Sequence, residues 1–123
     1  MLKLAIVGSR TFSDYSLLVE TLKTHYFEES GLAFNEIVSG GARGADSLAA
    51  EFAKVNNIKL TIFWPDWDKF GKSAGFKRNV QIVDYADEVL AFSVDNSKGT
   101  GYSIELARKQ NKVVRVIEIE NKL

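Results

Sequence analysis

A chain of 123 residues with 46% apolar content can bury one hydrophobic core and has no length for a second, so a single domain over residues 1–123 is expected. Lysine plus arginine and aspartate plus glutamate stand at 16 each, which excludes an overall field drawing the protein to nucleic acid or an anionic membrane and leaves only local basic patches. With no cysteine, a start that runs straight into a strand-like segment, and no apolar stretch near the ~20 residues of a membrane span, the chain is expected to be soluble and cytoplasmic, without disulfides, thiolate metal sites or a cysteine nucleophile.

Leu2 to Val7 is an aliphatic run stopping at Gly8, the pattern of a strand covered on both faces. From Asp14 to about Glu29, Tyr15, Leu18, Leu22 and Tyr26 recur at helical spacing, with Ser13 or Asp14 as cap and Gly31 as stop. Glu36 to Ser39 reads as a second strand. Beyond the following glycine turn, Ala45, Leu48, Ala49, Phe52 and Ala53 make one face of a helix that closes at Asn56-Asn57. Lys59 to Trp64 is a third strand broken by Pro65, and a long polar connection leads to a helix carrying Phe76, Val80, Val83 and Ala86. Connections of that length in small domains tend to be functional. Glu88 to Phe92 is a fourth strand and Ser93 to Lys98 a loop. Gly99-Thr100-Gly101 is then a turn, Tyr102 to Gln110 a helix and Val113 to Ile119 a fifth strand.

Strict alternation of strand and helix calls for parallel pairing with helices on both faces, hence a three-layer α/β/α domain whose mostly parallel sheet has about five strands. Ligands of such sheets sit outside the carboxyl ends of the strands. Every unusual turn falls there: Gly8-Ser9-Arg10, Ser39 to Asp46, Trp64 to Asn79, and Gly99-Thr100-Gly101.

The residue types in these turns suit a phosphate-bearing ligand. Gly40, Gly41 and Gly44 after one strand, and Gly99 and Gly101 after another, allow close backbone approach just before a helix N-terminus, whose amides attract anions. Ser9, Ser39 and Thr100 bring hydroxyls. Arg10 and Arg78, then Arg43 and Lys72, bring positive charge, and guanidinium matches phosphate in bidentate fashion. Trp64, Trp67, Phe70 and Tyr102 offer faces for a base. Taken singly, each has an ordinary alternative: a tight turn for the glycines, a solvated surface for the cations, core packing for the aromatics, and helix caps for Asp46 and Thr100. The set on one edge favours a site, and Ala42, Asp66 and Asn79 join it.

Several chemistries drop out. Gly71-Lys72-Ser73 imitates the tail of a P-loop, but Asp66 stands where the leading glycine belongs. Neither glycine turn spells the dinucleotide fingerprint, which argues against a hydride-transferring dehydrogenase. His25 is the sole histidine and lies in the first helix, so no histidine triad or histidine metal site is available and no metal is expected. Carboxylates are the remaining acid–base candidates, with Asp46, Asp66 and Glu105 foremost.

Gly8-Ser9-Arg10, Val38 to Asp46, Trp67 with Phe70-Gly71-Lys72 and Ala74-Gly75, Arg78-Asn79, Ala86-Asp87 and Gly99-Thr100 occur in an order that resembles the SLOG superfamily, most closely its small YspA/YpsA-related branch, over nearly the whole chain. The resemblance implies a Rossmann-like domain whose carboxyl edge binds nucleotides or nucleotide-derived molecules, including ADP-ribose and NAD derivatives. It implies a sensing or sequestering role for a signal of that class or a cyclic nucleotide, with no cofactor required and homodimers or higher homo-oligomers among relatives. Two alternatives come with it. One is an N-glycosidic hydrolase of a nucleoside monophosphate or NAD-like dinucleotide, assisted by Glu105 or Asp46. The related phosphoribohydrolases, however, place a glutamate directly after the Gly-Thr turn, where Gly101, Tyr102 and Ser103 stand here. The other is a single-stranded nucleic-acid module, because the DNA-processing DprA proteins share the pattern Ser-Gly-x-Ala-x-Gly-x-Asp found at Ser39 to Asp46; the balanced charge argues against it.

Overall fold

In the computed structural model, which describes residues 2–120, five parallel strands form one sheet. In chain order the elements are β1 (Leu2–Gly8), α1 (Tyr15–His25), β2 (Phe27–Glu28), β3 (Gly31–Leu32), β4 (Phe34–Ser39), α2 (Ala45–Val55), β5 (Lys59–Ile62), α3 (Trp67–Phe70), a 3-10 turn (Gly71–Ser73), α4 (Ala74–Tyr85), β6 (Glu88–Val94), α5 (Lys98–Lys109) and β7 (Val113–Ile119). The sheet order is β5-β4-β1-β6-β7, and β2 pairs with β3 in a separate antiparallel ribbon.

The two faces of the sheet follow the period of two along each strand. Leu4 and Ile6 of β1, with Leu90 and Phe92 of β6, join Leu18 and Leu22 of α1 and Ala49, Phe52 and Ala53 of α2 in one core. Ala5 and Val7, with Val89 and Ala91, face the other way onto Ile82 and Val83 of α4 and Ile104 and Ala107 of α5. The result is the expected three-layer α/β domain, Rossmann-like, with β1 at its centre. Because β4 pairs on one side of β1 and β6 on the other, the chain reverses its direction of winding between β1 and β6. That is where a crevice opens in doubly wound sheets.

Several boundaries differ from the sequence reading: β4 starts at Phe34 rather than Glu36, and β6 runs on through Ser93 to Val94 instead of ending at Phe92. Helix α1 stops at His25 rather than continuing to Glu29: Tyr26 is buried, its ring lies edge-on to Phe34 at 6.1 Å, and its carbonyl accepts from the Ala33 amide at 2.7 Å. Gly31 therefore turns a ribbon, at φ 116°, instead of ending a helix. Strand β5 ends at Ile62, which leaves Trp64 in the connection. Helix α5 begins at Lys98, so Gly99, Thr100 and Gly101 are its first turn rather than a loop ahead of it.

The opposite edge of the sheet is tied by carboxylates. Asp87 Oδ2 accepts from the Lys3 amide at 2.8 Å while its own amide donates to the Lys3 carbonyl, joining the starts of β1 and β6. Glu36 is buried on β4, accepting from the Tyr85 hydroxyl at 2.6 Å and Thr61 Oγ1 at 2.7 Å, with Lys59 Nζ at 3.4 Å. Burial pushes the Glu36 pKa up, but the bonds from Tyr85 and Thr61 and the Lys59 charge outweigh it and hold it below the ordinary carboxylate value. A lowered folded-state pKa gives stability that is present above the unfolded pKa and disappears as pH falls through the folded one. Glu36→Gln is expected to lower the unfolding free energy at pH 7 by about 1–3 kcal/mol, the cost of weakening charged hydrogen bonds in a buried site. Urea titrations at pH 7 and pH 3 check this, because the difference between variant and wild type shrinks in acid.

Candidate functional site

The end of β1 is fixed by Ser9. Its amide donates to the Phe92 carbonyl on β6 at 3.0 Å, and its carbonyl accepts from Phe12 at 3.1 Å and from Ala45, the first residue of α2, at 3.3 Å. Its hydroxyl accepts from the Val94 amide at 2.9 Å and donates to Ser97 Oγ at 3.0 Å, and Ser97 Oγ in turn donates to Thr100 Oγ1 at 2.7 Å. A line of hydroxyls thus runs from the tip of β1 to the first turn of α5. Ser97 is the N-cap residue of α5, yet its side chain caps none of the amides that follow.

The glycines around this junction divide into two kinds. A Cβ on Gly44 would lie 2.3 Å from the Ser9 carbonyl oxygen, on a backbone already at φ 76°, so only glycine lets the Ser9-Arg10 turn approach α2. Gly40 is faced by the Arg78 side chain and Gly41 by the Trp64 ring. The turn expected to hold phosphate on its glycines is therefore filled by the protein's own atoms, and Ala45, its first helical amide, is engaged by Ser9. Gly99 and Gly101 are the reverse case, because a Cβ on either would meet nothing within 4 Å.

Asp46 and Arg78 form the other wall. Each is 7% exposed. Asp46 Oδ2 accepts from the Ala42 amide at 3.1 Å, folding the glycine turn back on α2, and its carbonyl accepts from Ser39 Oγ at 3.3 Å. Arg78, on α4, donates to the Gly40 carbonyl and, through Nε, to Asn79 Oδ1 at 2.8 Å. Burial raises the Asp46 pKa, and the Ala42 amide and the charges of Arg78 and Arg10 only partly offset it. Burial likewise lowers that of Arg78, with Asp46 opposing the shift and Arg10 adding to it.

Between these walls lies a cavity of about 460 Å³, beyond the carboxyl ends of the paired strands β1 and β6. Its floor is apolar, from Val7, Ile82 and Val94, all buried. Gly8, Ser9, Ser97, Gly99, Thr100 and Ser103 line one side; Arg10, Thr11, Ala42, Asp46, Arg78 and Asn79 line the other; Trp67, Lys72, Gly75 and Phe76 come from the segment after β5. A smaller cavity of about 320 Å³ adjoins it, lined by Arg10, Gly41, Ala42, Arg43, Pro65, Trp67 and Arg78.

Of the residues expected to bind ligand, Gly8, Ser9, Arg10, Ala42, Asp46, Trp67, Lys72, Arg78, Asn79, Gly99 and Thr100 converge on the larger cavity. Ser39, Gly40, Gly44, Trp64, Asp66 and Gly101 line neither cavity, and Gly41 lines only the smaller. Asp66 caps α3 by accepting from the Lys69 amide at 3.0 Å, and Trp64 is 66% exposed against Gly41. Glu105, on the exposed side of α5, is also outside both cavities, which leaves Asp46 as the carboxylate at the larger one. Ser97 and Ser103 were missed by the sequence reading. They flank Thr100 at three residues on either side, a spacing that shares one helical face once α5 is started at Lys98.

Comparison with known proteins agrees with this architecture. The profile of the YAcAr family, described as the YspA, cpYpsA-related SLOG family, matches residues 2–70. The Gene 61 protein of Mycobacterium phage D29 is 34% identical over 116 residues, which is 89% of this chain and 90% of the phage protein. Among solved structures, DNA processing protein A (DprA) from Streptococcus pneumoniae superposes with a TM-score of 0.72 at 23% identity over 93% of this chain. The chain spans about half of DprA, 49% of its length, and the likeness is one of fold.

The raised pKa of Asp46 has a thermodynamic sign. The folded state holds its proton more tightly than the unfolded state, so this group's contribution to stability declines as pH rises from the unfolded to the folded pKa. Asp46→Asn keeps an oxygen to accept from Ala42 and removes the buried charge. It is expected to match or exceed wild-type stability at pH 7 and to lose the advantage as pH falls toward 3.5. Guanidinium titrations across that range check it, with a clear loss of stability at pH 7 as the contrary result.

Proposed function

The chain belongs to the YspA, cpYpsA-related SLOG family, and from that premise we propose that it binds a phosphate-bearing, nucleotide-derived small molecule at the carboxyl edge of its sheet. The ligand class is an ADP-ribose, an NAD-derived molecule or a cyclic nucleotide signal, which the protein senses or sequesters without turnover. The observation that carries this reading is the meeting, in one cavity, of the Ser9-Ser97-Thr100 hydroxyls with the cations Arg10, Lys72 and Arg78 over an apolar floor.

Each part has a chemical use. Thr100 Oγ1 receives the Ser97 proton, which leaves its own to give to an anionic oxygen. The uncapped first turn of α5 adds amides and a partial positive charge on the same side, and Gly99 leaves room for close approach. Arg10 and Lys72 neutralise the phosphate, and Arg78, held by Gly40 and Asn79, keeps its position when the site is empty. Asp46 accepts from a ribose hydroxyl. Trp67 and Phe76, both about half exposed, flank the sugar or base, while Val7, Ile82 and Val94 receive its apolar surface. Cavities of this size and mixture suit small molecules.

A hydrolytic reading has one observation in its favour: Asp46, with its raised pKa, lies in the cavity as a carboxylate able to hold a proton near a leaving group. A nucleic-acid reading draws on the fold shared with DNA processing protein A. The equal numbers of acidic and basic residues count against a long anionic strand.

Differential scanning fluorimetry with ADP-ribose, NAD and cyclic AMP tests the proposal. At 100 times its dissociation constant a ligand adds about 2.7 kcal/mol to stability, a shift well within reach. Arg10→Ala and Thr100→Val are expected to abolish the shift while leaving the ligand-free melt near that of wild type. Shifts retained in both variants would refute the assignment of the site. In parallel, chromatography of NAD and nucleoside monophosphates incubated with the protein is expected to show no released base; release that vanishes in Asp46→Asn would replace binding with hydrolysis.

A further inference from the structure

The smaller cavity carries the ligand's chemistry one step further. It shares Arg10, Ala42, Trp67 and Arg78 with the larger one and adds Arg43, so three guanidinium groups border a space that no carboxylate lines. Among the described residues neither Arg10 nor Arg43 has a carboxylate within 4.0 Å. The nearness of like charges is costly, and Arg10 already works with burial in lowering the Arg78 pKa. An anion placed between them would remove that repulsion and gain charge-assisted hydrogen bonds. Trp67, on the one-turn helix α3, stands at the border of both spaces.

Resting on the nucleotide reading of the larger cavity, we propose that the smaller cavity is a second phosphate subsite, so that the preferred ligand carries two linked phosphates: one beside Thr100 and Lys72, the next beyond Arg10 and against Arg43. The class is a nucleoside diphosphate or a dinucleotide joined through pyrophosphate, and a nucleoside monophosphate fills only half of the site. Gly41, Ala42, Pro65 and Trp67 complete the lining of the smaller cavity without adding a cation beyond the three arginines, which fits one additional phosphate there rather than a strand of many.

Isothermal titration of the full chain with AMP, GMP, CMP and UMP, each against its 5′-diphosphate, together with ADP-ribose, tests this. For the best base the diphosphate is expected to bind at least tenfold more tightly than the monophosphate. Arg43→Ala should erase that difference while leaving monophosphate affinity where it was, because Arg43 does not border the larger cavity. Equal affinities of mono- and diphosphate in the wild type, or an Arg43→Ala loss that falls on both alike, would overturn the subsite and leave the nucleotide site standing. Absence of binding by every compound would overturn both readings together. A twelve-residue oligothymidylate that outbinds all of them, with steep salt dependence, would overturn the subsite in favour of an open strand path.

Discussion

The arrangement of the whole carboxyl edge depends on the hydrogen bonds of one small residue. Ser9 joins β6 through its amide, α2 through its carbonyl, and the first turn of α5 through its hydroxyl. That concentration requires three backbones to come together, and the two neighbouring glycines permit it. A Cβ on Gly8 would stand 2.5 Å from the Phe92 carbonyl oxygen and one on Gly44 2.3 Å from that of Ser9. Strand β1 ends pinned between β4 and β6, and the space beyond its tip is where the helices of the two faces part. The cavity is thus a consequence of the sheet's order, while its chemistry comes from what the pinned turns carry.

Asp46 and Arg78 show how that chemistry is held in place. Both are buried and lie outside ion-pair distance of each other, and burial shifts each toward its neutral form. Opposite charges in such a setting are usually explained by mutual pairing. Here each is secured by neutral partners instead: the Ala42 amide for the carboxylate, the Gly40 carbonyl and Asn79 Oδ1 for the guanidinium. Both residues also line the cavity, a disposition that costs folding stability and suits a ligand with hydroxyls and negative charge.

Much of the fold could be read from the sequence because its strands are covered on both faces. Leu4 to Val7 and Val89 to Phe92 are too uniformly apolar for an edge or a surface helix, and alternation with amphipathic helices left few topologies. The tail of α1 was hidden because Tyr26 continues the helical period of Leu18 and Leu22. Its burial against Phe34, a contact made across the chain, ends the helix instead. The same limit applied to the site. Glycines in Ser39 to Asp46 signal close approach, but a sequence does not say to what, and here the approaching atoms belong to Arg78, Trp64 and Ser9. Arg10 was legible because it follows a strand end, Lys72 because it lies in the long connection, Arg78 and Asn79 because they follow that connection closely in the first half of α4, and Thr100 because it stands between two glycines. Ser97 and Ser103 were not, since recognising them requires knowing where α5 starts.

The placement of the tryptophans has a practical consequence. Trp64 and Trp67 account for both indoles of the chain, at 66% and 50% exposure, and the buried core is built from phenylalanine, tyrosine and aliphatic side chains. Indole emission in this protein therefore reports on the surface around the crevice, which Trp67 borders and Trp64 adjoins through Gly41, far more than on the integrity of the interior. Quenching or a spectral displacement on adding a small molecule reads occupancy directly, whereas a denatured chain and a native one emit from similarly wet surroundings. Circular dichroism, which follows the backbone, is the signal that tells those two states apart.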